Sequence, residues 1–251
     1  MNVSPRLFFL PIVLAALLMA VAPRLAAAAD FTPDQRKAIE GIIRDYMKDH
    51  PEAVLDALQA AEDKLKGEAR DQAAKALTAH KKEVFDDPNT PIAGNPKGDV
   101  TLVEFFDYRC PYCKQVEPAL EKLVAEDRQL KLVYKELPVL GPESDIAAHV
   151  ALAAKRQGKY DAFHRAMMNT GGHIDEAVIY KVAGSVGLDI DRVKRDMKSP
   201  EVEAELKANA ALGNDLDISG TPAFIIGDII IPGALSIDSL RQQIANARGR
   251  P

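Results

Sequence analysis

The 251-residue chain has only two cysteines, Cys110 and Cys113. A structural zinc site needs a second pair of ligands, and no other cysteine supplies one. Histidine is also scarce: the five, at positions 50, 80, 149, 164 and 173, form no ligand-spaced cluster. Positive charge is outweighed, with 32 Lys and Arg against 37 Asp and Glu. Phosphate binding needs a concentrated positive field, so nucleic acid is excluded as a partner. No internal repeat is present, and no low-complexity tract beyond alanine-rich stretches. The one long apolar run, Leu7 to Ala22, is shorter than the ~20 residues that cross a bilayer and contains Pro11, which argues against a permanent anchor.

Against these absences, 47% of residues are hydrophobic and 27% charged. That is enough for one sizeable core and a smaller appendage, and it excludes disorder over the whole chain. Arg6 precedes the apolar run, and Ala26 to Ala29 offers an A-x-A-like cleavage site before Asp30. Residues 1–29 therefore read as a cleaved signal peptide. Its removal takes away Arg6 and Arg24 and no acid, leaving 30 basic against 37 acidic side chains and a net charge of −7. Both cysteines lie in the mature part, where export puts them in a compartment that lets disulfides form and persist.

Residues 30–85 read as an N-terminal helical segment. Thr32-Pro33-Asp34-Gln35 matches a capping box with proline at the first helical position. Ile39, Ile42, Ile43, Tyr46 and Met47 follow on one stripe, and the helix is expected to stop near His50, before Pro51. A second helix starts at Pro51 with Val54, Leu55, Leu58, Ala61 and Leu65; beyond Gly67 the chain favours helix but offers few large side chains. Such helices are marginal alone, so they must pack on the main domain or on copies of themselves. Residues 86–98 (DDPNTPIAGNPKG) read as a linker, because three prolines and two glycines break regular structure.

Residues 99–251 read as the main domain. Val100 to Phe106 (VTLVEFF) has the pattern of a buried central strand. After Cys113 comes a helical pattern with Val116, Leu120, Leu123 and Val124. Leu130 to Leu137 then completes a right-handed parallel β-α-β unit. About 141–213 reads as a helical insertion. Ala223–Ile226 and Asp228–Ile231 form a hairpin about Gly227-Asp228, and Ser236 caps a last helix.

A disulfide-exchange enzyme needs one reactive, accessible thiol and a second close enough to displace the mixed disulfide it forms. Cys110-Pro111-Tyr112-Cys113 meets that need. Cys110 falls at a strand-to-helix turn, where free backbone N–H groups and the helix dipole favour a thiolate, and Pro111 suits the first helical turn. Cys113, one turn in, reads as the resolving thiol. A structural disulfide and half of a zinc site weaken, since a short loop constrains the unfolded chain little and further ligands are missing. A Cu(I) site of two thiolates stays open. Glu104, in an otherwise apolar strand, would exchange a proton with Cys113 if buried; an exposed strand residue is an equal reading. Asp107 reads as a loop acid or helix-proximal cap, and Phe105, Phe106 and Tyr108 as core and rim aromatics. Pro222 stands at a strand start, where a cis Thr221–Pro222 peptide beside the cysteines would explain it.

VEFFDYRCPYC, the helical insertion and SGTPAFIIG together resemble the DsbA family of periplasmic thioredoxin-fold proteins, from Val100 to about Ala247. The resemblance implies an α/β thioredoxin fold with a helical insertion, preceded by the N-terminal helices. It further implies attack by Cys110, resolution by Cys113, a buried acid at Glu104, and a client-binding groove at Thr221 and Pro222 beside Pro111 and Tyr112. Tyr112 replaces the histidine of the best-known oxidase, which removes one source of thiolate stabilisation. The threonine before Pro222 is more like disulfide isomerases and reductases. The N-terminal helices look like the copper-sensitivity suppressor C group, some members of which trimerise through that segment. The expectation is an exported thiol-disulfide oxidoreductase, leaning to isomerase or reductase, with a DsbA-type dithiol oxidase as alternative. A Cu(I)-binding or holdase module is the alternative outside catalysis. No diffusible cofactor is implied. The implied partners are client proteins with cysteines, a membrane redox partner for recycling, and further copies of the chain as a homotrimer or other homo-oligomer, in the periplasm.

Overall fold

The computed structural model describes residues 31–249, so the expected signal peptide lies outside the described residues. The chain divides into two compact units, Met1–Glu62 and Asp63–Pro251. In the first, helix α1 (Pro33–Asp49) begins with the expected capping box. Thr32 Oγ1 accepts from the Gln35 amide at 3.3 Å, and Gln35 Oε1 accepts from the Thr32 amide at 2.9 Å. The helix ends at His50, since Pro51 disfavours helical backbone in the residue before it. No residue of α1 is buried. Helix α2 (Pro51–Ala79) starts in this unit and ends in the second, unbroken at Gly67.

The second unit is a five-stranded mixed sheet with helices on both faces. After α3 (Lys81–Phe85) come β1 (Ile92–Gly94), β2 (Val100–Phe106), α4 (Pro111–Glu126) and β3 (Leu130–Glu136). Five helices follow: α5 (Pro142–Lys155), α6 (Tyr160–Met168), α7 (Glu176–Ser185), α8 (Ile190–Asp196) and α9 (Pro200–Asp215). The chain closes with β4 (Ala223–Ile226), β5 (Ile229–Pro232) and α10 (Ile237–Arg248), whose N-cap is Ser236. The sheet order is β1-β3-β2-β4-β5. The β2/β3 pair is parallel, while β1/β3, β2/β4 and β4/β5 are antiparallel. β2 is thus central, as its apolar run suggests.

One element departs from the sequence reading. Ile92–Gly94 lies in the stretch expected to hold no regular element, yet it pairs with Val133, Leu132 and Lys131 of β3. Gly94 makes this edge strand feasible: its φ is +75°, and a Cβ there would collide with the Leu130 carbonyl oxygen.

Strand alternation sorts β2 between two cores. Val103 and Phe105 join Leu77, Val84, Val133, Leu137 and Leu212 on one face. Leu102 and Phe106 join Cys113, Val116, Leu120 and Leu123 of α4, with residues of the helical insertion, on the other. Each fully buried side chain of this size contributes about 1.5–3 kcal/mol of transfer free energy. Glu104 falls between Leu102 and Phe106 in the alternation, so the same period that buries them sends a carboxyl toward α4. Among the described residues, no helix is long and apolar enough to cross a membrane.

Candidate active site

The two cysteines sit where β2 runs out and α4 begins. Cys110 is the N-cap of α4 and Pro111 its first residue, so the amide missing from proline is one that a helix start leaves unpaired anyway. Pro111 and Tyr112 are exposed, Tyr112 to 61%, while Cys113 lies one turn inside and is fully buried. Cys110 is also covered, at 3% exposure, more than its expected accessibility suggests. What covers it is informative: its Sγ lies 3.2 Å from the carbonyl oxygen of Thr221, to which the thiol donates. The Thr221–Pro222 peptide is cis, as expected. Thr221 is half-buried and Pro222 buried.

Asp107 holds this turn in place as a loop acid. Its Oδ1 accepts from the Arg109 amide at 2.7 Å and the Ser144 hydroxyl at 2.8 Å. Its Oδ2 accepts from the amides of Val139 and Leu140 at 2.9 and 3.0 Å. Arg109 ties the same loop down, donating to the Leu140 carbonyl at 2.7 Å and to Glu143 at 2.6 Å. The side chains of Val139 and Leu140 are left exposed beside the turn.

Beneath the cysteines, Glu104 is completely buried and so is not the exposed strand residue of its other reading. Neither carboxylate oxygen has a hydrogen-bond partner. Desolvation, followed by the neighbouring Glu117, Cys110 and Glu136, holds the carboxyl well above the usual carboxylate range. Burial, then Glu104, likewise pushes the Cys113 thiol far up. The thiol that resists ionisation and the partnerless carboxyl thus bear on each other electrostatically, with no hydrogen bond joining them. Lys114 follows Cys113 and donates to the carbonyls of Met167 and Met168 at 2.6 and 3.2 Å, at the end of α6. Burial brings its ammonium down to about 8.

The model of the DSBA-like thioredoxin domain matches residues 101–245. The chain belongs to the DsbA-like thioredoxin family. Residues 35–66 match the N-terminal domain of the copper resistance protein ScsC. Among solved structures, a thioredoxin-like oxidoreductase from Silicibacter pomeroyi DSS-3 is 45% identical, over 68% of this chain and 98% of that one, with a TM-score of 0.66. A linker-deletion mutant of Proteus mirabilis ScsC is 27% identical, over 88% of this chain and 98% of that one, also with a TM-score of 0.66. The chain also matches the Na(+)/H(+) antiporter NhaA 3 of Salinispora tropica, 28% identical over 166 residues, but it spans only 26% of that protein's length.

This DsbA-like domain therefore brings together every site residue the sequence suggests: Cys110, Pro111, Tyr112 and Cys113 at the start of α4, Thr221 and Pro222 against Cys110, and Glu104 below. Sequence reasoning missed a buried polar cluster alongside them. Glu117, Glu136 and His164 are each 1% exposed or less. Glu136 Oε1 accepts from the hydroxyls of Tyr108 at 3.1 Å and Tyr160 at 2.8 Å. One signal was available: Glu117 stands in the stripe Cys113, Val116, Leu120 of α4, an acid in an apolar row. His164 carried no such mark.

Proposed function

We propose that this chain is an exported protein thiol-disulfide oxidoreductase that works through Cys110 and Cys113, in the isomerase or reductase direction. The observation that carries the reading is the contact of Cys110 Sγ with the Thr221 carbonyl of the cis-proline loop, at the start of a helix. An extended client segment that pairs with the backbone of that loop presents its disulfide to Cys110 whatever its sequence, because main-chain pairing is indifferent to side chains. The S. pomeroyi relative, described as an oxidoreductase, supports the same chemistry.

In the reductive direction, the Cys110 thiolate attacks one sulfur of a client disulfide and expels the other client sulfur as a thiolate. Cys113 then gives its proton to Glu104 in that carboxyl's ionised form, which is reached only above its raised midpoint, and attacks Sγ of Cys110. The mixed disulfide breaks, the second client sulfur leaves as a thiolate, and the enzyme is left oxidised by two electrons. In isomerisation the client's own thiol displaces Cys110 before Cys113 acts. In the oxidative direction the same steps run backwards, with protonated Glu104 returning its proton to the expelled Cys113.

Residues 1–29 are the export signal in this reading, the periplasm its destination, and a membrane redox protein the source of reducing equivalents. The exposed stripe of Ile39, Ile42, Ile43, Tyr46 and Met47 joins copies of the chain, so that several active sites face one client at high effective concentration. The deciding assay is reactivation of a scrambled multi-disulfide protein by the mature chain, with Cys110→Ser as control. Reactivation that depends on Cys110 is the expected result. No reactivation, with rapid oxidation of the same client when reduced, would replace this reading with the dithiol-oxidase one.

A further inference from the structure

The helical insertion puts a histidine into the space behind the cysteines. His164 of α6 is completely buried. Its Nδ1 lies 3.1 Å from the Tyr108 hydroxyl oxygen, and its Nε2 lies 3.4 Å from Oε2 of Glu117. The Tyr108 hydroxyl has one hydrogen, which it gives to Glu136 at 3.1 Å. With the Tyr108 hydrogen on Glu136, the tautomer that satisfies this contact carries a hydrogen on Nδ1 and donates it to the Tyr108 oxygen. Across the long Nε2 to Oε2 contact exactly one further hydrogen fits, on the imidazole or on the carboxyl. In both arrangements the histidine and Glu117 together carry no net charge.

That neutrality matters for Glu104. Glu104 and Glu117 act on each other electrostatically, and three of their four carboxyl oxygens have no hydrogen-bond partner. A negative charge on buried Glu117 would make a negative charge on buried Glu104 costlier still. The groups that face the imidazole are Glu117 from α4, Tyr108 from the turn before α4, Tyr134 from β3 and Tyr160 from α6 itself, with Glu136 of β3 reached through Tyr108. Tyr160 stacks on the ring and Phe106 meets it edge-on, so the ring has no room to turn away. Two cations stand outside this shell: Lys114 of α4, which acts electrostatically on Glu117 while donating to the Met167 and Met168 carbonyls, and Arg165, engaged with Glu121 and Asp161.

We infer that His164 is a positioning residue for the thiol chemistry: it holds Glu117 in a shared-proton, neutral pair, and so leaves Glu104 free to take up and return the proton of Cys113. The inference rests on the roles proposed above for Cys113 and Glu104. It gives the helical insertion a part in the chemistry beyond covering the sheet.

The test follows the reduced full-length mature protein reacting with the aromatic disulfide dithiobis(nitrobenzoate) in a stopped-flow spectrometer. The first thionitrobenzoate reports attack by Cys110; the second reports displacement by Cys113, and its rate is measured against pH. In His164→Gln the amide can still donate to Glu117 but has no proton to titrate in this pH range, so Glu117 faces Glu104 as a carboxylate. The midpoint for the second step is expected to move up by at least about half a pH unit, a roughly threefold slower release below the midpoint. Glu117→Gln should stay near wild type, and the double variant His164→Gln/Glu117→Gln should return to it. An unmoved midpoint in His164→Gln, or a double variant that keeps the shift, overturns the inference. His164→Asn serves if the glutamine variant does not fold. Glu104→Gln separates the two levels. If it removes the midpoint while His164→Gln does not move it, this inference alone fails; if it changes nothing, the proton-carrier reading of Glu104 fails and takes this inference with it.

Discussion

Helices α1 and α4 carry apolar stripes of similar make and meet opposite surroundings. In α4, Val116, Leu120 and Leu123 are at most 3% exposed, closed in by the sheet and by the helical insertion. In α1, Ile42 is 69% exposed, Ile43 50% and Tyr46 56%. A helical period identifies a face that water disfavours but says nothing about what covers it. For α4 the cover is the chain's own fold, and for α1 we propose that it is another copy. The boundary between the two situations is gradual: Leu77 near the end of α2 and Val84 of α3 already belong to the core under β2. A cut at the linker near Asp86 would therefore strip core residues along with the N-terminal helices, and point substitutions in α1 are the cleaner probe.

The contrast is sharpest in stability. Leu120→Ala, which opens a cavity in a closed core, is expected to lower the unfolding free energy by about 2–5 kcal/mol at any protein concentration. Ile42→Glu on the open stripe should cost far less in dilute solution, yet reduce a larger-than-monomer mass in light scattering to that of one chain. Equal losses for the two variants in dilute denaturant titrations would break the comparison. A mass untouched by Ile42→Glu would leave the α1 stripe without its proposed partner.

The same contrast explains what could be read in advance. The strand VTLVEFF, the capping box at Thr32, the Cys110-Pro111-Tyr112-Cys113 turn, the cap at Ser236 and the hairpin at Gly227-Asp228 are set by local chemistry, and local chemistry is written in neighbouring residues. β1 is three residues long and exists because β3 offers it an edge, so its Pro- and Gly-rich stretch gives no sign of it. The polar cluster is hidden for the same reason. His164 meets Glu117 from 47 positions away and Tyr108 from 56, through contacts that only the packing of α6 creates. Glu104 lies between these extremes: its phase in the strand was legible, its lack of any partner was not.

Glu104 also provides the second prediction, of intermediate size. A buried acid without hydrogen bonds costs the fold about 1–3 kcal/mol, so Glu104→Leu should stabilise the protein while impairing exchange. The sign with pH is fixed by the direction of its shift. The carboxyl holds its proton in the folded chain well above the 4.5 at which it loses it when exposed. As pH rises past 4.5 the unfolded chain releases a proton that the folded chain keeps, and wild-type stability falls. The advantage of Glu104→Leu, measured by denaturant titration, should thus be wider at neutral pH than in acid. An advantage independent of pH would show that the carboxyl is not strained by its burial.

The smallest effect belongs to Lys114, at the seam between α4 and the end of α6. Its ammonium comes down to about 8 from an ordinary 10.5, and burial is the largest cause. Between those two values the unfolded chain holds a proton that the folded chain has already lost. Lys114 therefore adds stability as pH rises through this window, the reverse of Glu104. The amine is partly open to solvent, which screens the effect to under about 1 kcal/mol. Lys114→Met should lack this rise, and the comparison must be taken as wild type minus variant. Lys135, also pushed down by burial, and the buried tyrosines, pushed up, titrate in both proteins and cancel in that difference. If the difference is flat across the window, the carbonyls of Met167 and Met168 hold Lys114 charged throughout, and the seam between α4 and α6 is fastened by a permanent cation.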